Sequence, residues 1–140
     1  MTADITPFPD LATWSVQQDG SAVLTGEDAT IPVPSGQPVT LQDVIWNAPG
    51  PEGLTLRFRF VAPQIAREGG GVDFDTAAAD MLDLCQNYAL QRLSETGPVP
   101  NQIIISLSDV ALPFGEAAPD ATQFFEAFSI VDGQCVWDIY

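Results

Sequence analysis

Arg57 and Arg59 stand two residues apart in the run Leu54–Ala62, and together they are half of the chain's cations. Alternation places Leu56, Phe58, Phe60 and Ala62 on one side of that run. Thr55, Arg57, Arg59 and Val61 fall on the other, the pattern of a half-buried strand. Two guanidinium groups on one strand face suit bidentate recognition of a carboxylate or another small anion. Ser106 and Ser108, on a strand expected over Gln102–Ser108, have the spacing to line the same face. The simpler alternative is cross-strand ion pairing with the chain's own acids, for example Glu126 or Asp138.

Cys85 and Cys135 are the second pair with chemical potential. Cys85 falls at the centre of the apolar face of a helix expected over Phe74–Ser94, with Ala78, Met81, Leu82, Tyr88, Ala89 and Leu93. Cys135 lies on a C-terminal hairpin, Phe124–Val131 and Gln134–Tyr140, closed by Asp132-Gly133. A two-residue loop pairs Ile130 with Cys135 and Phe128 with Trp137 on the better core face. Both cysteines therefore point into the layer between helix and sheet. They read as a disulfide, which belongs to an oxidising compartment. The alternative is two buried free thiols of a cytosolic protein.

The chain holds no histidine and no lysine. Ser-His-Asp and Cys-His catalysis, mixed Cys/His zinc sites and Schiff-base chemistry are closed by those absences. Gly69-Gly70-Gly71 has neither the Gly-Lys-Ser/Thr of a phosphate loop nor dinucleotide-binding spacing. Asp73 and Asp75 could hold a hard cation, but helix capping explains them with fewer assumptions, and no metal or cofactor is expected. A carboxylate pair of the glycosidase type is the one catalytic route left open, with no particular pair singled out.

Nineteen acidic residues against four basic ones give a net charge of −15 over 140 residues. That field repels phosphate backbones and anionic membrane surfaces, so nucleic acid is a poor partner. No apolar run is long enough to span a bilayer. Met1–Asp10 carries no basic residue and no apolar segment, so no signal peptide is expected there.

The elements that must position these residues follow from turn signals. Residues 1–37 form an extension with a short hairpin, Thr13–Val16 and Ala22–Leu24. This extension could cover Phe125 and Tyr140, which lie off the core face of the C-terminal hairpin. Pro32, Pro34 and Pro38 keep the chain extended and mark a boundary. A compact domain of residues 38–140 follows, with strands over Val39–Trp46, Leu54–Ala62 and Gln102–Ser108 and the closing hairpin. Asp80 and Asp83 fall on the solvent side of the helix. The expected fold is α+β, a mostly antiparallel sheet of four to five strands with one long helix packed on one face. The connection through the helix could make the Arg57 and Ile104 strands parallel neighbours.

Several runs carry a resemblance: Pro34-Ser35-Gly36-Gln37-Pro38-Val39, Leu56-Arg57-Phe58-Arg59-Phe60-Val61-Ala62-Pro63, Leu84-Cys85, Ile104-Ile105-Ser106-Leu107-Ser108-Asp109, Thr122-Gln123-Phe124-Phe125-Glu126-Ala127-Phe128 and Gly133-Gln134-Cys135-Val136-Trp137. Together they resemble a small uncharacterised bacterial family, a domain of unknown function, over roughly residues 32–140. The resemblance implies export, which leans towards the disulfide, and it implies no catalytic or binding residues.

The functional expectation is a non-catalytic binding or interaction domain, monomeric, with a protein or small-molecule partner. A small hydrolase-like enzyme is the alternative. Bridged cysteines would place it in the periplasm or outside the cell, free ones in the cytoplasm.

Overall fold

Alternating runs of apolar and polar residues build the sheet, and one amphipathic helix seals one of its faces. The computed structural model describes residues 15–16, 22–26, 30–46, 55–65, 71–90, 102–111 and 122–137. The strands are β1 (Ser15–Val16), β2 (Ala22–Thr25), β3 (Thr40–Trp46), β4 (Thr55–Val61), β5 (Gln102–Ser108), β6 (Gln123–Val131) and β7 (Gln134–Trp137). They form one seven-stranded sheet in chain order. Every neighbouring pair is antiparallel except β4 and β5, which run parallel with the helix in the connection between them.

The α+β class and the parallel step agree with expectation, but the count of four to five strands is corrected to seven. The N-terminal hairpin does not stand apart, because Val23 and Leu24 of β2 pair with Ile45 and Val44 of β3 and extend the sheet. β1 and β2 lie at the opposite end of the strand order from β6 and β7, and residues 1–14 of the extension, which was expected to cover Phe125, lie outside the described residues. Arg67, Arg92, Asp138, Tyr140, Gly69, Gly70 and the expected helix end at Leu93–Ser94 lie outside the described residues.

One face carries Leu56, Phe58 and Phe60 of β4, with Ile103, Ile105 and Leu107 of β5 directly opposite them. All six are buried, and Phe128 and Val44 continue the layer. On β3 the alternation is broken at Gln42. Leu41 pairs with Phe60, yet Asp43 pairs with Arg59, so one extra residue sits between them. In a regular strand Leu41 and Asp43 would share a face; the bulge keeps Leu41 in the core and turns Asp43 to the opposite side. Gly26 packs against the same spot, its N–H donating to the Gln42 carbonyl. A Cβ there would lie 2.0 Å from the Leu41 carbonyl oxygen, so only glycine fits.

Helix α1 spans Phe74–Asp83 and begins at Asp73, whose carboxylate accepts the Thr76 N–H at 2.9 Å. That hydrogen bond holds the Asp73 carboxyl below the usual aspartate range. After Asp83 the helix does not continue as α but widens into a π turn over Leu84–Ala89, where the Leu90 N–H reaches back to the Cys85 carbonyl. Leu84, Cys85 and Ala89 are all buried there.

The expected solvent position of Asp80 is corrected. Asp80 is fully buried. Its carboxylate accepts the Ser35 N–H at 3.0 Å, the Ser35 hydroxyl at 2.5 Å and the Gln37 side-chain amide at 2.7 Å. The donors come from Pro32–Pro38, which was expected to run extended and instead closes on itself. Thr30 pairs with Thr40, the Ile31 N–H reaches the Val39 carbonyl, and Val33 enters the core. A buried acid with three donors is stable where an unpaired one would not be.

The C-terminal hairpin has the expected register, Ile130 with Cys135 and Phe128 with Trp137. Asp132 and Gly133 both have positive φ, 52° and 76°, which a two-residue turn between right-twisted strands requires. Cys135 is bonded to Cys85 across 50 residues. Its backbone N–H donates to the Gln86 side-chain carbonyl at 2.9 Å, so the helix also satisfies a polar group on the outermost strand.

Two measurements check these anchors. Asp80→Ala should lower the urea-unfolding free energy by about 3 kcal/mol, since three donors lose their acceptor; a loss below about 0.5 kcal/mol would refute the anchoring role. Alkylation of the native, unreduced protein should modify neither cysteine. Replacing both with alanine should cost about 4 kcal/mol on the chain-entropy model.

Candidate functional site

The face turned away from the helix holds all four residues that the sequence singles out for binding. The register sets Arg57 between Ile45 of β3 and Ile104 of β5, and Arg59 between Asp43 and Ser106. Ser108 lies opposite Val61 and Gln123 at the far end. The alternation that drives Phe58 and Phe60 into the core necessarily presents both arginines here.

Sharing a face does not make them one site. Arg59 is committed internally: its Nε and Nη2 each donate to one oxygen of Asp43 at 2.7 Å. Both side chains are only 12% exposed, so solvent screens this fork little. The expectation of cross-strand pairing is thus met for Arg59, but by a residue the sequence reading did not name. Glu126 cannot serve, because it pairs with Ile105 and belongs to the helix side. Ser106 is buried, and its hydroxyl accepts the Gln123 side-chain amide at 3.2 Å.

Arg57 is in the opposite condition. Its Nε is shielded from solvent and has no hydrogen-bond partner, and no acid pairs with it among the described residues. Burial, and then the charge of Arg59, hold its guanidinium below the ordinary arginine range. The buried Ser108 hydroxyl also lacks a partner. It stands four residues along the ladder from Arg57, about 13 Å at strand spacing, so one small anion does not bridge the two. The candidate site narrows to Arg57, with Ile45 and Ile104 beside it.

Two described acids are buried, Asp43 and Asp80, and they lie on opposite sides of the sheet. Each already accepts at least two hydrogen bonds. They do not face one another as the carboxylates of a glycosidase do. Among the described residues no three of His, Cys, Asp and Glu gather as metal ligands, and no helix is long and apolar enough to cross a membrane.

A signal for Asp43 existed in the sequence: it is the one acid inside the otherwise apolar and amide run Leu41–Trp46. Its pairing with Arg59 needs the bulge at Gln42, which alternation alone hides.

Comparison with known proteins gives one match: a family model described as a family of unknown function, DUF6497, matches residues 12–140. No curated protein and no solved structure matches.

The two arginines should respond in opposite directions to the same change. Arg57→Met removes a desolvated charge that has no partner and should raise the melting temperature by a few degrees. Arg59→Met strands Asp43 and should cost about 3 kcal/mol. Equal destabilisation in thermal melts of the two variants would contradict this division.

Proposed function

We propose that this chain, which belongs to the DUF6497 family of unknown function, is a non-catalytic binding module that takes an anionic group of its ligand or partner on Arg57. The observation that carries this reading is the unpaired guanidinium itself. The chain has nineteen acids for four arginines, so internal partners are plentiful. Arg59 uses one, while its neighbour two residues away is half-buried with an unsatisfied Nε. A partly desolvated charge without a partner costs stability, and an external acid that meets the solvent-facing side of the guanidinium offsets that cost although Nε itself stays shielded.

The occupied state of Asp43 and Asp80 supports binding over carboxylate-pair hydrolysis. The Cys85–Cys135 bond supports an oxidising compartment, periplasmic or extracellular.

Nitrogen-15 NMR tests the reading on a small set of signals, because all cations of the chain are arginines. Titration with acetate should shift the Arg57 Nε–H resonance saturably and leave that of Arg59, held by Asp43, nearly unmoved. An Arg57 signal that ignores acetate would reject the site.

A further inference from the structure

The residues around Arg57 also say what the anion is attached to. Across the strands, Val23, Ile45, Arg57, Ile104 and Ala127 form one continuous row on this face, with the arginine as its single polar member. Ile45 and Ala127 are already covered, whereas Ile104 is half-buried. Diagonal to Ile104, on β6, stands Phe125, the most exposed large apolar side chain described, at 68%. Aromatic side chains reach diagonal neighbours on a sheet face. An apolar path therefore leads from the guanidinium over Ile104 to the Phe125 ring, across two strand spacings of about 10 Å.

The charge count selects the head group. Arg59 and Asp43 neutralise each other, which leaves one uncompensated cation at the site. A single guanidinium matches the flat two-oxygen fork of a carboxylate. Phosphate carries more charge than one cation offsets, and the net charge of −15 repels it further.

We infer that the ligand of this face is a monocarboxylate with an apolar body, an aliphatic or aromatic acid, whose head group binds Arg57 and whose body lies over Ile104 against Phe125. This inference rests on the anion-binding reading of Arg57 and adds to it the class of ligand.

The test uses the full chain with its disulfide intact and three probes: octanoate, acetate and inorganic phosphate. Affinity is read from the Arg57 Nε–H resonance and from the backbone amides of Ile104 and Phe125. Octanoate should bind on the order of tenfold more tightly than acetate, and phosphate should move none of these signals. Phe125→Ala, an exposed substitution that leaves the core intact, should bring octanoate back towards acetate. Arg57→Gln should abolish the amide response to both acids. Arg57→Lys, which keeps the charge but loses the fork, should weaken octanoate several-fold.

Octanoate binding no tighter than acetate would overturn the inference while leaving an anion site at Arg57. So would octanoate affinity that is unchanged in Phe125→Ala, or phosphate binding that matches octanoate. Silence of Arg57 towards both carboxylates would overturn the inference together with the reading beneath it.

Discussion

The division of the sheet into a face sealed by the helix and a face turned away from it depends on how that helix is fastened. Asp80 ties the helix to Ser35 and Gln37, more than 40 residues earlier in the chain, and Cys85 ties it to Cys135, 50 residues later. The two anchors use different physics. Asp80 is an acid whose burial is tolerable only because three donors converge on it, so it specifies the path of the Pro32–Pro38 loop as much as it stabilises it. The disulfide acts on the unfolded chain by closing a long loop, and Gln86 beside it covers a backbone donor of the outer strand. Between them the apolar side of β4 and β5 is shut off from water.

What the helix does not cover is governed by charge. Two arginines on alternate positions repel one another and must each be solvated or paired. The bulge at Gln42 brings one carboxylate to this face, and it goes to Arg59 in a bidentate fork. Arg57 is left between two isoleucines. The same strand thus carries one cation held by an internal acid and one whose Nε has no partner, separated by a single residue, and what distinguishes them is the neighbouring strand.

Much of this architecture is legible in the residues. The alternation over Leu54–Ala62 identifies the sheet's two faces, and the Asp132-Gly133 turn determines a register that points Cys135 inward towards a cysteine on the helix. Other features are not legible, for identifiable reasons. β1 and β2 are two and four residues long, too short for periodicity to reveal that they prolong the sheet. Asp80 reads as a solvent position because helical spacing shows which residues share a face but not which distant donors will meet it there. The partner of Arg59 depends on a bulge, and a bulge of one residue reverses every later assignment of face. The four candidate binding residues do share a face, yet sequence spacing could not show that Ser108 lies too far along the ladder to act with Arg57.

The central claim is that two neighbouring guanidinium groups differ in their internal partnership. Rotation about the guanidinium bonds, followed by nitrogen-15 exchange NMR of the ligand-free protein, reports it most directly. Arg59, gripped at two nitrogens by Asp43, should rotate slowly and show resolved Nη signals, while Arg57 should rotate freely and show averaged ones. Equally hindered rotation of Arg57 would mean that an acid of this chain already holds it, and the account of the face turned away from the helix would fail.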